Sequence, residues 1–371
     1  MNESKILLDL IQQSLDDFCQ SRRLEFETIS ADLLPLVDFS KDLLSGGKRF
    51  RALFAYWSWA GALKNSTHHH TPEQLEKSAA AIVGVTAALE MFHAAALVHD
   101  DLLDQSDTRR GKPAIHKRFE LLHADTSWSG SAERFGIAGS VLVGDLMLGW
   151  SSEIFGRALI DAPTVEIERA CRSEFSKMRV EVMAGQYLDV VEENAAVSRE
   201  ISEAVSRANR VMLYKTAKYS IEAPLLIGAA FAGASPAHMR ALSSFGIPLG
   251  MAFQLKDDVL GVFGDPAVTG KPAGDDLREG KRTVLVGLTR ESLPTSVGKI
   301  FDELLTSRSL DAEQISFMQQ TIIDSGALAK TERMMNDLAD ESLHNLKQIE
   351  MDSNAKAMLE QLALKVINRD A

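Results

Sequence analysis

Proline, cysteine and aromatic residues are scarce in this chain. Its 371 residues include 10 prolines, 2 cysteines, 4 tryptophans and 4 tyrosines. So few prolines leave room for long uninterrupted helices. No run of alternating β-branched residues bounded by turns occurs, which argues against a sandwich or barrel. Cys19 and Cys171 do not form a C-x-x-C pair. A disulfide framework or zinc site is therefore not expected, and the usage fits a reducing cytoplasm. Positive charge is also in deficit: 40 Lys and Arg against 52 Asp and Glu give a net charge of −12. Such a chain is a poor general binder of nucleic acid or anionic lipid. An anionic substrate must be captured locally, by a basic cluster or by metal ions. The N-terminus has no basic region leading into an apolar stretch, so no signal peptide is expected. The longest apolar segments are interrupted by Gly, His or Asp, and no transmembrane segment is expected.

What is present is helical pattern. Helices are expected at about 48–62, 72–104, 137–160, 164–192, 197–219, 221–233 and 236–263. Residues 2–38 should form one or two more, and amphipathic helices should fill 283–371. Residues 119–135 and 264–281 read as loops. Thr71-Pro72-Glu73-Gln74 supplies an N-cap, Pro at the first helical position and Gln at the third. In the helix that follows, only Thr86, Glu90 and His93 are polar between Ala79 and Val98. A helix apolar nearly all round is a buried one. With no repeat and no linker, residues 1–371 read as one large all-α domain.

Chemistry concentrates in two acidic clusters. The first is His99-Asp100-Asp101-Leu102-Leu103-Asp104. On a helix Asp100 and Asp104 share a face, about 6 Å apart. Carboxylates at the end of a buried helix are costly unless cations pair with them. Mg²⁺ suits such oxygen donors, because it keeps several waters and takes one or two carboxylates plus substrate phosphates. The second cluster, Phe253-Gln254-Leu255-Lys256-Asp257-Asp258, lies on another apolar helix, and Asp275-Asp276 follows in a loop with Arg278 and Lys281. Asp275-Asp276 reads more readily as a loop and cap feature than as part of the site. If the two helices face each other, their acids can hold several Mg²⁺ ions across one diphosphate. A basic patch, Gly46-Gly47-Lys48-Arg49-Phe50-Arg51, offers a metal-free anion site, with Lys48 and Arg51 on one helical face.

These motifs together resemble the trans-isoprenyl diphosphate synthases, also called polyprenyl synthetases. They are G-G-K-R-F-R at 46–51, H-x₅-H-D-D-L-L-D at 93–104 and R-R-G-K-P at 109–113, then G-Q-Y-L-D at 185–189, Y-K-T-A at 214–217, F-Q-L-K-D-D at 253–258 and the loop 269–283. The resemblance covers about residues 40–285. It implies a bundle of mostly antiparallel helices around a deep central cavity, usually a homodimer. It implies isopentenyl diphosphate at Lys48, Arg51, His93 and Arg110, and the allylic diphosphate at Arg109, Lys215, Lys271 and Lys281. Direct Mg²⁺ ligands would be Asp100, Asp104 and Asp257, with Asp101 and Asp258 close to the ions, of which three are expected per site. Gln186 and Asp189 would face the metal waters, and Thr216, Gln254 and Lys215 the reacting groups. The sequence departs from the family at Gly261, where many relatives carry a third Asp, and at Ala52, where Pro is usual.

The implied reaction is head-to-tail condensation of isopentenyl diphosphate with an allylic diphosphate. Chain length should be measured on the helix before Asp100. Ala95 and Ala96 are small, and Phe92 lies one turn deeper, about 5 Å or one isoprene unit away. Geranylgeranyl diphosphate (C20) is the expected product, with a farnesyl or longer-chain synthase as the alternative. A class I terpene cyclase needs no isopentenyl site. A non-catalytic regulatory subunit would be expected to lose acids or basic contacts.

Overall fold

The computed structural model describes residues 2–68, 71–195, 198–265, 273–307 and 309–368. The chain is all-α, as expected, and the described residues form two compact units. The first comprises Met1–Tyr56 with His68–Arg169, the second Trp57–Thr67 with Ala170–Ala371.

In the first unit, α1 (Asn2–Ile29), α2 (Leu34–Leu44) and the start of α3 (Phe50–Ala62) precede α4 (Pro72–Leu103). The expected capping box opens α4: Gln74 N–H donates to Thr71 Oγ1 at 3.2 Å, and Thr71 N–H to Gln74 Oε1 at 2.9 Å. Such a cap is worth about 1 kcal/mol. α4 packs along α6 (Ala132–Ala158). Small residues permit the close approach: a Cβ at Gly84 would stand 2.9 Å from the Cβ of Ala158. A buried bond from Ser151 Oγ to the Ala88 carbonyl, 2.8 Å, ties the two helices together.

The expectation that no apolar segment could span a bilayer is corrected here. By length and composition Pro72–Leu103 and Ala132–Asp161 are both sufficient, because Gly and His do not break a helix that neighbours support. Most of the α4 stretch is buried, as in a core helix. Two further elements escaped the sequence. A short helix, α5 (Ile115–Asp125), occupies part of the expected 119–135 loop. Before it, β1 (Thr108–Arg109) pairs antiparallel with β2 (Lys112–Pro113). The tight turn between them puts Arg110 and Gly111 at φ +54° and +73°, the positive-φ pair that suits a two-residue hairpin.

The second unit is organised on α10 (Pro236–Phe263), which packs on α15 (Ala327–Gln348) and on a π-helical stretch, Met212–Glu222. Pro248 lies inside α10 and has no N–H for the Ser244 carbonyl. Asn345 on α15 donates to that carbonyl instead, at 2.9 Å, and Ser342 to the Phe245 carbonyl, also at 2.9 Å. Glycines let backbones meet: a Cβ at Gly250 would stand 2.5 Å from the Ala217 backbone. The expected 197–219 helix is divided into α8 (Ala204–Val211) and the π stretch. α9 is Ala223–Phe231. α11 (Asp275–Glu279) is a helical turn inside the expected 264–281 loop. Then come α12 (Val284–Ser292), α13 (Thr295–Thr306), α14 (Ala312–Asp324) and α16 (Ser353–Ile367). Leu255, Leu277, Leu285, Phe301 and Met318 form a fully buried core among them.

Candidate active site

In the first unit a glycine turn sets out the basic residues. Gly46 and Gly47 have φ of +81° and +94°, and Arg49 follows at +52°. The helix begins at Phe50, so Lys48 is exposed in the turn. The expected shared helical face of Lys48 and Arg51 is therefore corrected. The cause is Arg49, which turns inward. Its guanidinium donates to Gln12 Oε1 at 2.5 Å and to the Leu44 carbonyl, and pairs with buried Glu90 at 3.4 Å. Glu90 Oε1 also accepts the Ala52 N–H at 3.2 Å, capping α3 from α4. Glu90 is a positioning residue that the motif reading missed. Its signal was a charge inside an otherwise apolar helix, which requires a buried partner.

His93 sits one turn after Glu90. Burial, then the guanidinium groups of Arg51, Arg110, Arg109 and Arg49, push its imidazole well below the ordinary histidine range. A neutral His93 beside arginines can hydrogen-bond an anion without adding charge. Arg110 lies across Gly47: a Cβ there would stand 2.9 Å from Nη2. Its Nη1 reaches the Leu43 and Ser45 carbonyls, each at 3.4 Å. Arg51, His93 and Arg110 are thus brought together around the turn that carries Lys48.

The same hairpin sends the preceding arginine to the first acidic cluster. Arg109 Nε donates to Asp101 Oδ1 at 2.8 Å, and Nη2 approaches Asp100 at 3.9 Å. Burial alone would lower the guanidinium pKa, but Asp101, Asp100 and Asp104 raise it above the ordinary value. Asp101 is buried, while Asp100 and Asp104 are half-buried. Asp104 ends α4, its N–H bonded to the Asp100 carbonyl at 2.8 Å. Upstream, Phe92 and Ala95 are buried and Ala96 is half-buried.

In the second unit Asp258 is buried beside half-buried Asp257. Burial is the largest cause that raises the Asp258 carboxyl well above its usual range, and Asp276 and Asp257 add to it. Gln254 Nε2 donates to Asp258 at 2.7 Å, and Thr216 Oγ1 donates to Gln254 Oε1 at 2.6 Å. Adjacent in the π stretch, Lys215 pairs with Asp189 of α7 (Val165–Ala195). Gly185 makes this contact possible, since a Cβ there would overlap the backbone of Lys215. Gln186 is half-buried next to it. Lys281 pairs with Glu279 at 2.7 Å and approaches Asp276 at 4.0 Å. Lys271 lies outside the described residues.

Gly261 acquires a reason. A Cβ at that position would overlap the carboxylate of Asp276. The acid missing from α10 is matched by one from α11, delivered to the same place. Asp276 belongs with the second cluster, and only tertiary packing reveals it. Asp145, by contrast, is not the buried hydrogen-bonding residue that its apolar surroundings suggest. It is exposed, 3.7 Å from His99, because it faces outward on α6. The His99 ring fills the space over Gly144.

The donor chemistry of both clusters fits Mg²⁺. The groups are carboxylates, hard oxygen donors, and the charge of Asp258 is opposed by burial until a cation offsets it. Among the described residues no three acidic, histidine or cysteine side chains surround one point.

The polyprenyl synthetase family model matches residues 35–322. The chain belongs to the polyprenyl synthetase family. It is accordingly a prenyltransferase, and the matched residues run through both units. A geranylgeranyl diphosphate synthase of Sulfolobus acidocaldarius is 30% identical over 292 residues, which is 77% of this chain and 76% of the relative. A geranylfarnesyl diphosphate synthase of Natronomonas pharaonis is 29% identical over 330 residues, 88% of this chain and 87% of the relative. Among solved structures, the geranylgeranyl pyrophosphate synthase of Corynebacterium glutamicum, complexed with isoprenyl diphosphate and magnesium, is 34% identical. Its TM-score is 0.88 and 98% of each chain is covered.

Proposed function

We propose that the protein is a cytoplasmic, Mg²⁺-dependent trans-prenyltransferase that condenses isopentenyl diphosphate with allylic diphosphates head to tail, ending at geranylgeranyl diphosphate. The observation that carries this reading is the pairing of consecutive arginines with different partners. Arg109 is bound into the first aspartate cluster, and Arg110 into the glycine turn beside neutral His93. A synthase needs both a metal-assisted ionisation site and a separate site that holds the second diphosphate without ionising it. A terpene cyclase needs only the former.

Lys48, Arg51, His93 and Arg110 hold the isopentenyl diphosphate by charge-assisted hydrogen bonds. Arg109, Lys215, Lys271 and Lys281 bind the allylic diphosphate and stabilise the negative charge that develops on it as the C–O bond breaks. Magnesium, when bound, supplies the rest of that stabilisation. Asp100, Asp104 and Asp257 would hold it directly, with Asp101, Asp258, Gln186 and Asp189 around it, three ions per site. The Thr216 hydroxyl donates to Gln254 Oε1, which orients its oxygen lone pairs to face the delocalised allylic cation. The double bond of isopentenyl diphosphate then attacks, and the proton lost passes to the departing diphosphate.

Residues 1–371 act as one synthase domain. A homodimer would cover the apolar face that α6 exposes at Ile137 and Val141, which stand one turn apart on the same side of the helix. The function is tested by incubating pure protein with Mg²⁺, isopentenyl diphosphate and each allylic primer, then reading products by mass spectrometry. Chains that grow to C20 and stop are expected. A cyclic hydrocarbon would make it a cyclase, and no turnover would make it a regulatory subunit. Growth that stops at C15 or continues past C20 would overturn the product assignment alone.

A further inference from the structure

We propose that an arginine-lined cleft in the second unit, between the C-terminal end of α7 and helices α8, α12 and α13, is a metal-free binding site for a phosphate or diphosphate oxyanion. Four guanidinium groups, from Arg199, Arg207, Arg282 and Arg290, line it against only two carboxylates, Glu192 and Asp302. Glu192 is buried and takes Arg199 and, at 2.9 Å, Arg207. Asp302 accepts from Nε and Nη2 of Arg290 at 2.8 Å each, and pairs with Arg282 Nη1 at 3.5 Å. Each carboxylate is thus shared by two arginines, and two positive charges remain in excess on the lining. At the solvent rim Arg207 also reaches the Glu200 carbonyl at 3.1 Å and exposed Glu203 at 3.4 Å.

Arg282 points to what is missing. Its side chain is nine-tenths buried, and its Nε is buried without a hydrogen-bond partner among the described residues. A buried donor left without a partner carries its full desolvation penalty. An incoming oxyanion would satisfy it and balance the excess charge together, and the planar guanidinium fork suits phosphate oxygens. The cleft is also shaped for its arginines: a Cβ at Gly298 would overlap the Arg290 guanidinium. The cleft has room for a phosphate-sized group. It is distinct from the second aspartate cluster. Lys281 pairs with Glu279 and Asp276, whereas the next residue, Arg282, pairs with Asp302. An acidic cluster needs a metal to hold a diphosphate; this basic cleft does not.

The test is calorimetric titration of inorganic diphosphate into the full chain in EDTA. The Lys48→Ala/Arg51→Ala protein is used, so that the other candidate metal-free anion site is removed. One equivalent should bind. Adding Arg199→Gln or Arg282→Gln should weaken binding at least tenfold, with helix content unchanged by circular dichroism. If Arg282→Gln fails to fold, Arg199→Gln, at the more open end of the cleft, decides alone. Competition with geranylgeranyl diphosphate separates the sources. Equal affinity identifies free diphosphate as the occupant, and at least tenfold tighter binding identifies the prenyl ester head group. No binding in the Lys48→Ala/Arg51→Ala protein, or binding indifferent to the arginine substitutions, would overturn the proposal.

Discussion

Asp258 carries a cost that a purely structural residue would not. It is buried, and two further acids, Asp257 and Asp276, oppose its ionisation. Its folded-state pKa lies above the ordinary carboxylate value of about 4. Such a group favours folding at low pH, where both states are protonated or the folded state holds the extra proton. That advantage is lost as pH rises through the folded value. At neutral pH and without metal, Asp258 therefore destabilises the fold. Asp258→Asn should raise the Tm in EDTA at neutral pH, because the amide carries no charge to bury. It should also flatten the loss of Tm between pH 4 and pH 8, while turnover with Mg²⁺ falls. Thermal melts across that range check this, and a Tm lower than wild type at pH 7 would contradict it. Glu90 shows the opposite use of a buried acid, because Arg49 and the Ala52 N–H offset its charge within the fold.

Helices α10 and α4 illustrate how an element constrains its own sequence. Gly261 on α10 is fixed by the Asp276 carboxylate packed against it. Restoring the family's usual acid with Gly261→Asp should lower stability by steric overlap and like-charge repulsion, on the order of 1–3 kcal/mol. Asp276→Ala in that background should recover most of the loss. Denaturant melts of the single and double variants measure it, and strictly additive losses would show that the two positions do not compete. On α4, Ala95 is buried but Ala96 is only half-buried. A bulky side chain at 96 has an open direction, whereas one at 95 must overpack the interior. Ala96→Phe should therefore shorten products towards C15, and Phe92→Ala should lengthen them beyond C20. Identical product lengths in both variants and wild type, by mass spectrometry, would refute the ruler.

For the molecule as a whole, long periodic helices were legible because burial imposes their pattern. The Thr71 cap and the span of α10 read directly from residue order. The hairpin at 108–113 was not legible, because two-residue strands are too short to show alternation. Its signal was only Arg110-Gly111 at positive φ. The π stretch escaped because a widened turn leaves composition unchanged. At the site, motif residues on one helix were legible, such as Asp100 with Asp104. Partners delivered from elsewhere in the chain were not: Glu90 for Arg49, Asp276 for Gly261, and Asp302 for Arg282. Sequence spacing carries contacts within an element and loses those between elements.

The proposed reaction requires that the acids of both clusters serve one ionisation step. The most direct test is a double-mutant cycle on kcat with Asp100→Asn and Asp257→Asn. Groups that act as a unit give grossly non-additive losses. Each single variant should lose about 10³-fold or more, roughly 4 kcal/mol, and the double variant little more than the worse single one. Losses that multiply, or a single variant that keeps wild-type turnover, would contradict the account.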